Sequence, residues 1–136
     1  MDIAPAHRPS GLVALAIANF LVGGFFVILA VLSLLWWSKT SDEQAAANAA
    51  SALPALLTAG PVGLLGIITG IGYLGQKRIT GKMLGTVFGC VGTIAIPVLL
   101  IVRGHDFGVL HAVMLTCFAA NIALVNTIFK DAFIRP

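Results

Sequence analysis

The chain has 136 residues, of which 59% are hydrophobic and only 10% charged, with a net charge of +3. Soluble domains carry about 25% charged residues, so a water-soluble core is excluded, and the length suits one domain. The basic residues stand at the ends of apolar runs, which points to membrane topology and away from nucleic acid.

In chain order, residues 1–10 are polar and contain proline, and Ser10 can cap a helix beginning at Gly11. From Gly11 to Trp37 run 27 residues without a charge, a helix roughly 40 Å long and enough to cross a bilayer with tilt. A signal peptide is the rival reading, but the run far exceeds an h-region of about 7–15 residues, so the segment is expected to be retained. Trp36 and Trp37 close the run, where indole rings favour the interface. Ser41 and Gln44 then have capping-box spacing ahead of an alanine-rich stretch, predicting a short helix at the outer surface before the second span.

The second span is read over residues 53–75, with Pro54 in a first turn and Pro61 kinking or restarting the helix. The third covers 83–102, bent by Pro97, and the fourth 107–129, after the short return at residues 103–106. Ten of the fifteen glycines lie between Gly60 and Gly92. Helix-interior glycine is costly in water, whereas in a bilayer small residues let helices pack backbone to backbone. Gly63, Gly66 and Gly70 share one face with Ala59, and Gly81, Gly85, Gly89 and Gly92 continue the pattern. Close packing of the second helix on the third is therefore expected, around the basic turn at 76–82. The fold class is an all-α integral membrane four-helix bundle, a single transmembrane domain over residues 1–136.

Orientation follows from charge. Arg8, Lys77, Arg78, Lys82, Lys130 and Arg135 fall on one side, Lys39 and Arg103 on the other. Six against two places both termini and the 76–82 turn in the cytoplasm, N-in and C-in. No ten-residue alternating segments argue for a membrane barrel.

None of the four spans contains Asp, Glu, Lys or Arg, the groups that mark ion pathways and coupled transport. Three polar side chains, Asn19, Cys90 and Asn121, fall at one depth, about 12–14 Å along their helices from the basic boundary. Their simplest reading is an interhelical hydrogen bond from Asn19 to Asn121; the functional alternative is a pocket for a quinone or lipid head group. His111, the one histidine inside a span, could ligate the metal of a haem or chlorophyll-type pigment, though a bis-histidine site lacks its second ligand. An imidazole bonded to backbone or water near the interface is the plainer reading. His105 and Asp106 add too few ligands for a metal site. Cys90 and Cys117 lie in apolar runs and read as small buried residues, without a disulfide framework. Thr58, Thr69, Thr86, Thr93, Thr116 and Ser33 can bond back to their own helices. The glycine run lacks phosphate-loop spacing. Lys77, Arg78 and Lys82 serve as a topological anchor and can attract anionic lipid.

Arg8, Pro9, Gly11, Ala16, Ile17, Asn19 and Phe20, with the later segment GIGYLGQKRITGK, resemble small prokaryotic four-span proteins of unassigned activity. The tryptophan often found in the basic turn of that group is missing here. The resemblance covers about half of the chain and implies an inner-membrane helical bundle, without implying an activity.

Together these features lead to the expectation of a non-catalytic accessory or assembly subunit of a larger membrane complex, with lipids and other membrane subunits or itself as partners and no nucleic acid. The alternative is a protein that binds a pigment, quinone or lipid. A small oligomeric transporter or channel is the third.

Overall fold

A computed structural model describes residues 9–38, 59–103 and 107–133. The expected outer-surface helix and its Ser41–Gln44 cap, Pro54, Thr58, His105, Asp106 and the terminal arginines lie outside these residues, as do the side chains of Trp36, Trp37 and Arg103. The described chain is helical: α1 (Ser10–Ser38), α2 (described over Ala59–Leu74), a π-helical turn (Arg78–Met83), α3 (Leu84–Arg103) and α4 (Val109–Asn126). Three helical stretches, Ser10–Leu35, Arg78–Val98 and Val109–Asn126, are long and apolar enough to cross a membrane. The described part of α2 measures about 24 Å.

Neighbouring helices run antiparallel. α1 begins one residue earlier than expected, because the Pro9 carbonyl accepts the Leu12 amide at 2.9 Å and Ser10 lies within the helix. Its inward face carries Leu12, Leu15, Ala16, Asn19, Val22 and Gly23, while Ile17, Leu21, Ile28 and Leu32 point outward. The helical repeat separates these two sets. Large apolar residues on the outside suit a lipid solvent better than water.

The glycine patterns divide between partners: the expected second-on-third packing occurs toward the basic turn, while other glycines of the same two helices meet α1 and α4. On α2, Gly63, Gly66 and Gly70 face α1. A Cβ on Gly63 would stand 2.8 Å from the Gly23 carbonyl oxygen, and one on Gly23 would stand 2.7 Å from that of Gly63. The two backbones therefore cross in direct contact, as small residues permit. Gly70 receives the Phe20 ring, and Gly66 lies between Gly23 and the Phe88 ring of α3. On α3, Gly89 and Gly92 face α4, lying against the Phe118 carbonyl, Ile122 and the Phe118 ring. Gly72, Gly81 and Gly85 lie in the α2–α3 seam, and Gly66 reaches it through Phe88. The physical reason is azimuth: two residues beyond Gly70 the helix has turned by about 200°, so Gly72 meets a different neighbour.

α2 ends in a Schellman motif with an unusual residue at its left-handed position. The Lys77 amide bonds the Gly72 carbonyl at 2.9 Å, the Gln76 amide bonds that of Tyr73 at 3.1 Å, and Gln76 has φ 53°. Glycine usually occupies this position; here Gly75 stands one residue before it, and Gln76 is buried. The turn then enters α3 through π geometry, in which the Lys82 amide reaches back to Lys77. Gly72 and Gly81 meet here, backbone against backbone.

α4 stops at Asn126, three residues short of expectation. The Thr127 hydroxyl and amide both return to the Ala123 carbonyl, at 2.6 and 3.0 Å. The chain then folds back: Phe129 packs at Gly11, and Phe133 is buried against Gly81 and Tyr73, its ring 5.8 Å from the Tyr73 ring. Leu12, Leu15, Ala16, Tyr73, Val125 and Phe133 thus form a core at the basic end of the bundle. A second core, Val22, Phe88, Ile96, Met114 and Phe118, fills the other half. Pro97 lies within α3 and is exposed, as is Pro61 near the described start of α2.

Candidate functional site

Between the two cores lies a cluster of polar side chains. Asn19 sits one turn beyond Ala16 on α1, and Asn121 follows Phe118 on α4; both are 0% exposed. Their amides exchange hydrogen bonds. Asn19 Nδ2 donates to Asn121 Oδ1 at 2.9 Å, and Asn121 Nδ2 donates to Asn19 Oδ1 at 2.8 Å. A buried amide without partners would cost several kcal/mol, about 2–7 depending on reference state, so mutual satisfaction is what allows both to lie here.

The third member is Tyr73 on α2, also fully buried, whose hydroxyl donates to Asn121 Oδ1 at 2.7 Å. The second N–H of Asn121 donates to the Cys117 carbonyl at 2.8 Å. Asn121 accordingly uses two acceptor sites and two donors, its full capacity. Tyr73 reaches this layer from nearer the basic end because side chains on a helix lean toward its N-terminus, which on α2 points inward along the bundle. Gly85 opens the way, since a Cβ there would collide with the Tyr73 hydroxyl. Phe133 covers one side of the cluster, and the edge-to-face pair Phe88–Phe118, with centroids 4.8 Å apart, lies beyond the other.

The cluster joins α1, α2 and α4 through neutral amides and a phenol. Such groups hold helices in register but provide neither a nucleophile–base pair nor a charge for ion transfer. One turn deeper than Tyr73, Thr69 is buried with no partner for its hydroxyl among the described residues, as is Thr80 in the π-helical turn.

The other residues singled out in the sequence lie apart from it. Cys90, which residue counting places in the same layer, is instead exposed on the outer side of α3. Its neighbours Gly89 and Gly92 occupy the inward face, and the helical rotation of about 100° per residue carries Cys90 away from it. Cys117 is half-buried and contributes its backbone carbonyl. His111 stands in the first turn of α4, where its Nδ1 accepts the Gly108 amide at 3.2 Å and its ring lies 6.2 Å from that of Phe107. The imidazole therefore caps its own helix, leaving one ring nitrogen for any other partner. No group of three or more His, Cys, Asp or Glu able to hold a metal occurs among the described residues. Lys77 and Arg78 are exposed and Lys82 is half-buried, with Arg78 and Lys82 edging a groove beside α4.

Two contributors escaped the sequence reading. Tyr73 could have been suspected as the single tyrosine in an otherwise apolar helix, leaning toward the asparagine layer. Phe133 carries no local signal, because nothing in the tail sequence marks where the chain turns back. Comparison with protein-family models, with curated proteins and with solved structures finds no match.

Proposed function

We propose that this chain is a non-catalytic accessory or assembly subunit of a larger membrane protein complex. The observation that carries the reading is the closed Asn19–Asn121–Tyr73 cluster, in which these three side chains bond to one another. A ligand site keeps convergent polar groups open toward a cavity; this centre spends them on helix registry. The glycine faces are likewise used within the bundle, so a neighbouring subunit would meet the large apolar residues of α1 and α3. Partner contact would therefore rest on those faces and not on the glycines.

In this reading α2 extends through residues 53–58 to complete a fourth span, and a short helix at the outer surface joins it to α1. Both termini and the basic turn are cytoplasmic, by the distribution of Lys and Arg. The resemblance of the N-terminal segment to small prokaryotic four-span proteins supports an inner-membrane location.

Purification of the native protein in mild detergent, followed by native mass spectrometry, tests the proposal. It predicts other membrane chains at fixed stoichiometry. The chain recovered alone, or with a bound chromophore or quinone, would overturn it.

A further inference from the structure

We propose that the groove between the π-helical turn and the end of α4 binds the head group of an anionic phospholipid, with one acyl chain lying along the outer face of α3. The groove has a volume of about 450 Å³ and is lined by Arg78, Lys82, Met83, Thr86, Val87 and Asn126. Its floor is neutral and fixed in place. Asn126 Nδ2 donates to Thr86 Oγ1 and to the Ile122 carbonyl, each at 2.9 Å, and the Thr86 hydroxyl donates to the Lys82 carbonyl, also at 2.9 Å. The charge of the lining is therefore that of Arg78 and Lys82, with no carboxylate among the lining residues.

These two cations stand four residues apart on one helical face, where like charges repel. An anion between them turns repulsion into attraction, and a phosphate offers oxygens to both the guanidinium fork and the ammonium. Below the cations the surface becomes apolar and stays so. Met83, Val87, Val91, Ile94 and Val98 are all exposed and follow one stripe along α3. The stripe is about 22 Å long, whereas one leaflet of the hydrocarbon core is about 15 Å deep. A cationic mouth above an apolar track of that length matches a phospholipid, whose head and chain are covalently joined, better than a free phosphate. Lys77 is exposed but lies outside the lining, which separates a built site from general attraction of positive charge to an anionic surface.

The test uses the full chain in mild detergent, stripped of native lipid and titrated with phosphatidylglycerol or with phosphatidylcholine of the same acyl chains, read by native mass spectrometry and by the shift in unfolding temperature. Phosphatidylglycerol should bind more tightly than phosphatidylcholine. R78Q/K82Q should lose roughly thirtyfold in affinity for it, and each single change about fivefold, as two charges near an anionic head group imply. K77Q should stay within about twofold of the parent chain. Arg78 is exposed, so R78Q without lipid should unfold like the parent; Lys82 is half-buried and its ammonium also donates to the Lys130 carbonyl at 3.5 Å, so R78Q alone gives the answer if a Lys82 variant is less stable. Equal losses in K77Q and R78Q, equal binding of the two lipids, or displacement by millimolar inorganic phosphate would each overturn the proposal.

Discussion

Replacing Asn121 with alanine removes the centre of the polar cluster and strands its partners. Three interhelical hydrogen bonds go: two with Asn19 and one with Tyr73. At an average of about 0.6 kcal/mol for interhelical bonds in membrane proteins, their loss amounts to roughly 2 kcal/mol. The Asn19 amide and the Tyr73 hydroxyl then remain buried without the acceptor they used, adding about 1–3 kcal/mol. Asn121→Ala should therefore destabilise the bundle by about 3–5 kcal/mol. The double variant Asn19→Ala/Asn121→Ala should cost little more than either single change, because each removes what the other had stranded. Unfolding by denaturing detergent in mixed micelles, followed by helix content, measures all four corners of the cycle. A coupling energy of about 3–5 kcal/mol, close to the cost of one single change, is expected. Additive single effects, or an Asn121→Ala variant as stable as the parent chain, would refute the registry role.

Four further substitutions are read in the same assay. Gly85→Ala places a methyl group on the Tyr73 hydroxyl and should cost about 1–3 kcal/mol, and most of that loss should be recovered in the Tyr73→Phe background, where the hydroxyl is gone. Gly63→Val should separate α1 from α2 at the Gly23 crossing and cost at least about 1–3 kcal/mol. By contrast Gly24→Ala, with nothing within 4 Å of the added carbon, should be neutral or stabilising by up to about 1 kcal/mol. Phe133→Ala should cost about 3–5 kcal/mol if the tail is part of the core, and limited proteolysis should then cut the chain after α4 faster than in the parent protein.

Depth in the bundle is legible in the sequence, and azimuth is much less so. A helix rises by a constant amount per residue, so counting from the basic boundaries places Asn19 and Asn121 at one level and makes their meeting a reasonable expectation. The same count puts Cys90 at that level, yet it faces outward, because the count says nothing about which side of α3 meets its neighbours. The glycines show this most clearly. Their spacing marks a small face on each helix but not the partner of that face: Gly63 and Gly70 meet α1, Gly89 and Gly92 meet α4, and Gly81 and Gly85 meet α2. Tyr73 illustrates a further gap: its Cα lies nearer the basic end than the asparagines, and only the lean of its long side chain brings the hydroxyl to their level. α4 ends earlier than its apolar periodicity implies, because Asn126 and Thr127 return their side chains to the preceding turn. The groove beside α4 depends on that early end, since Asn126 forms part of its floor.

The proposed topology threads the chain through a membrane with its basic turn on the cytoplasmic face. Single-cysteine labelling of intact cells tests this directly, with Cys90 and Cys117 replaced by alanine and a membrane-impermeant maleimide as probe. Asp42→Cys should label from outside, whereas Lys77→Cys should label only after the membrane is opened. Labelling of Lys77→Cys in intact cells, or protection of Asp42→Cys there, would contradict the account.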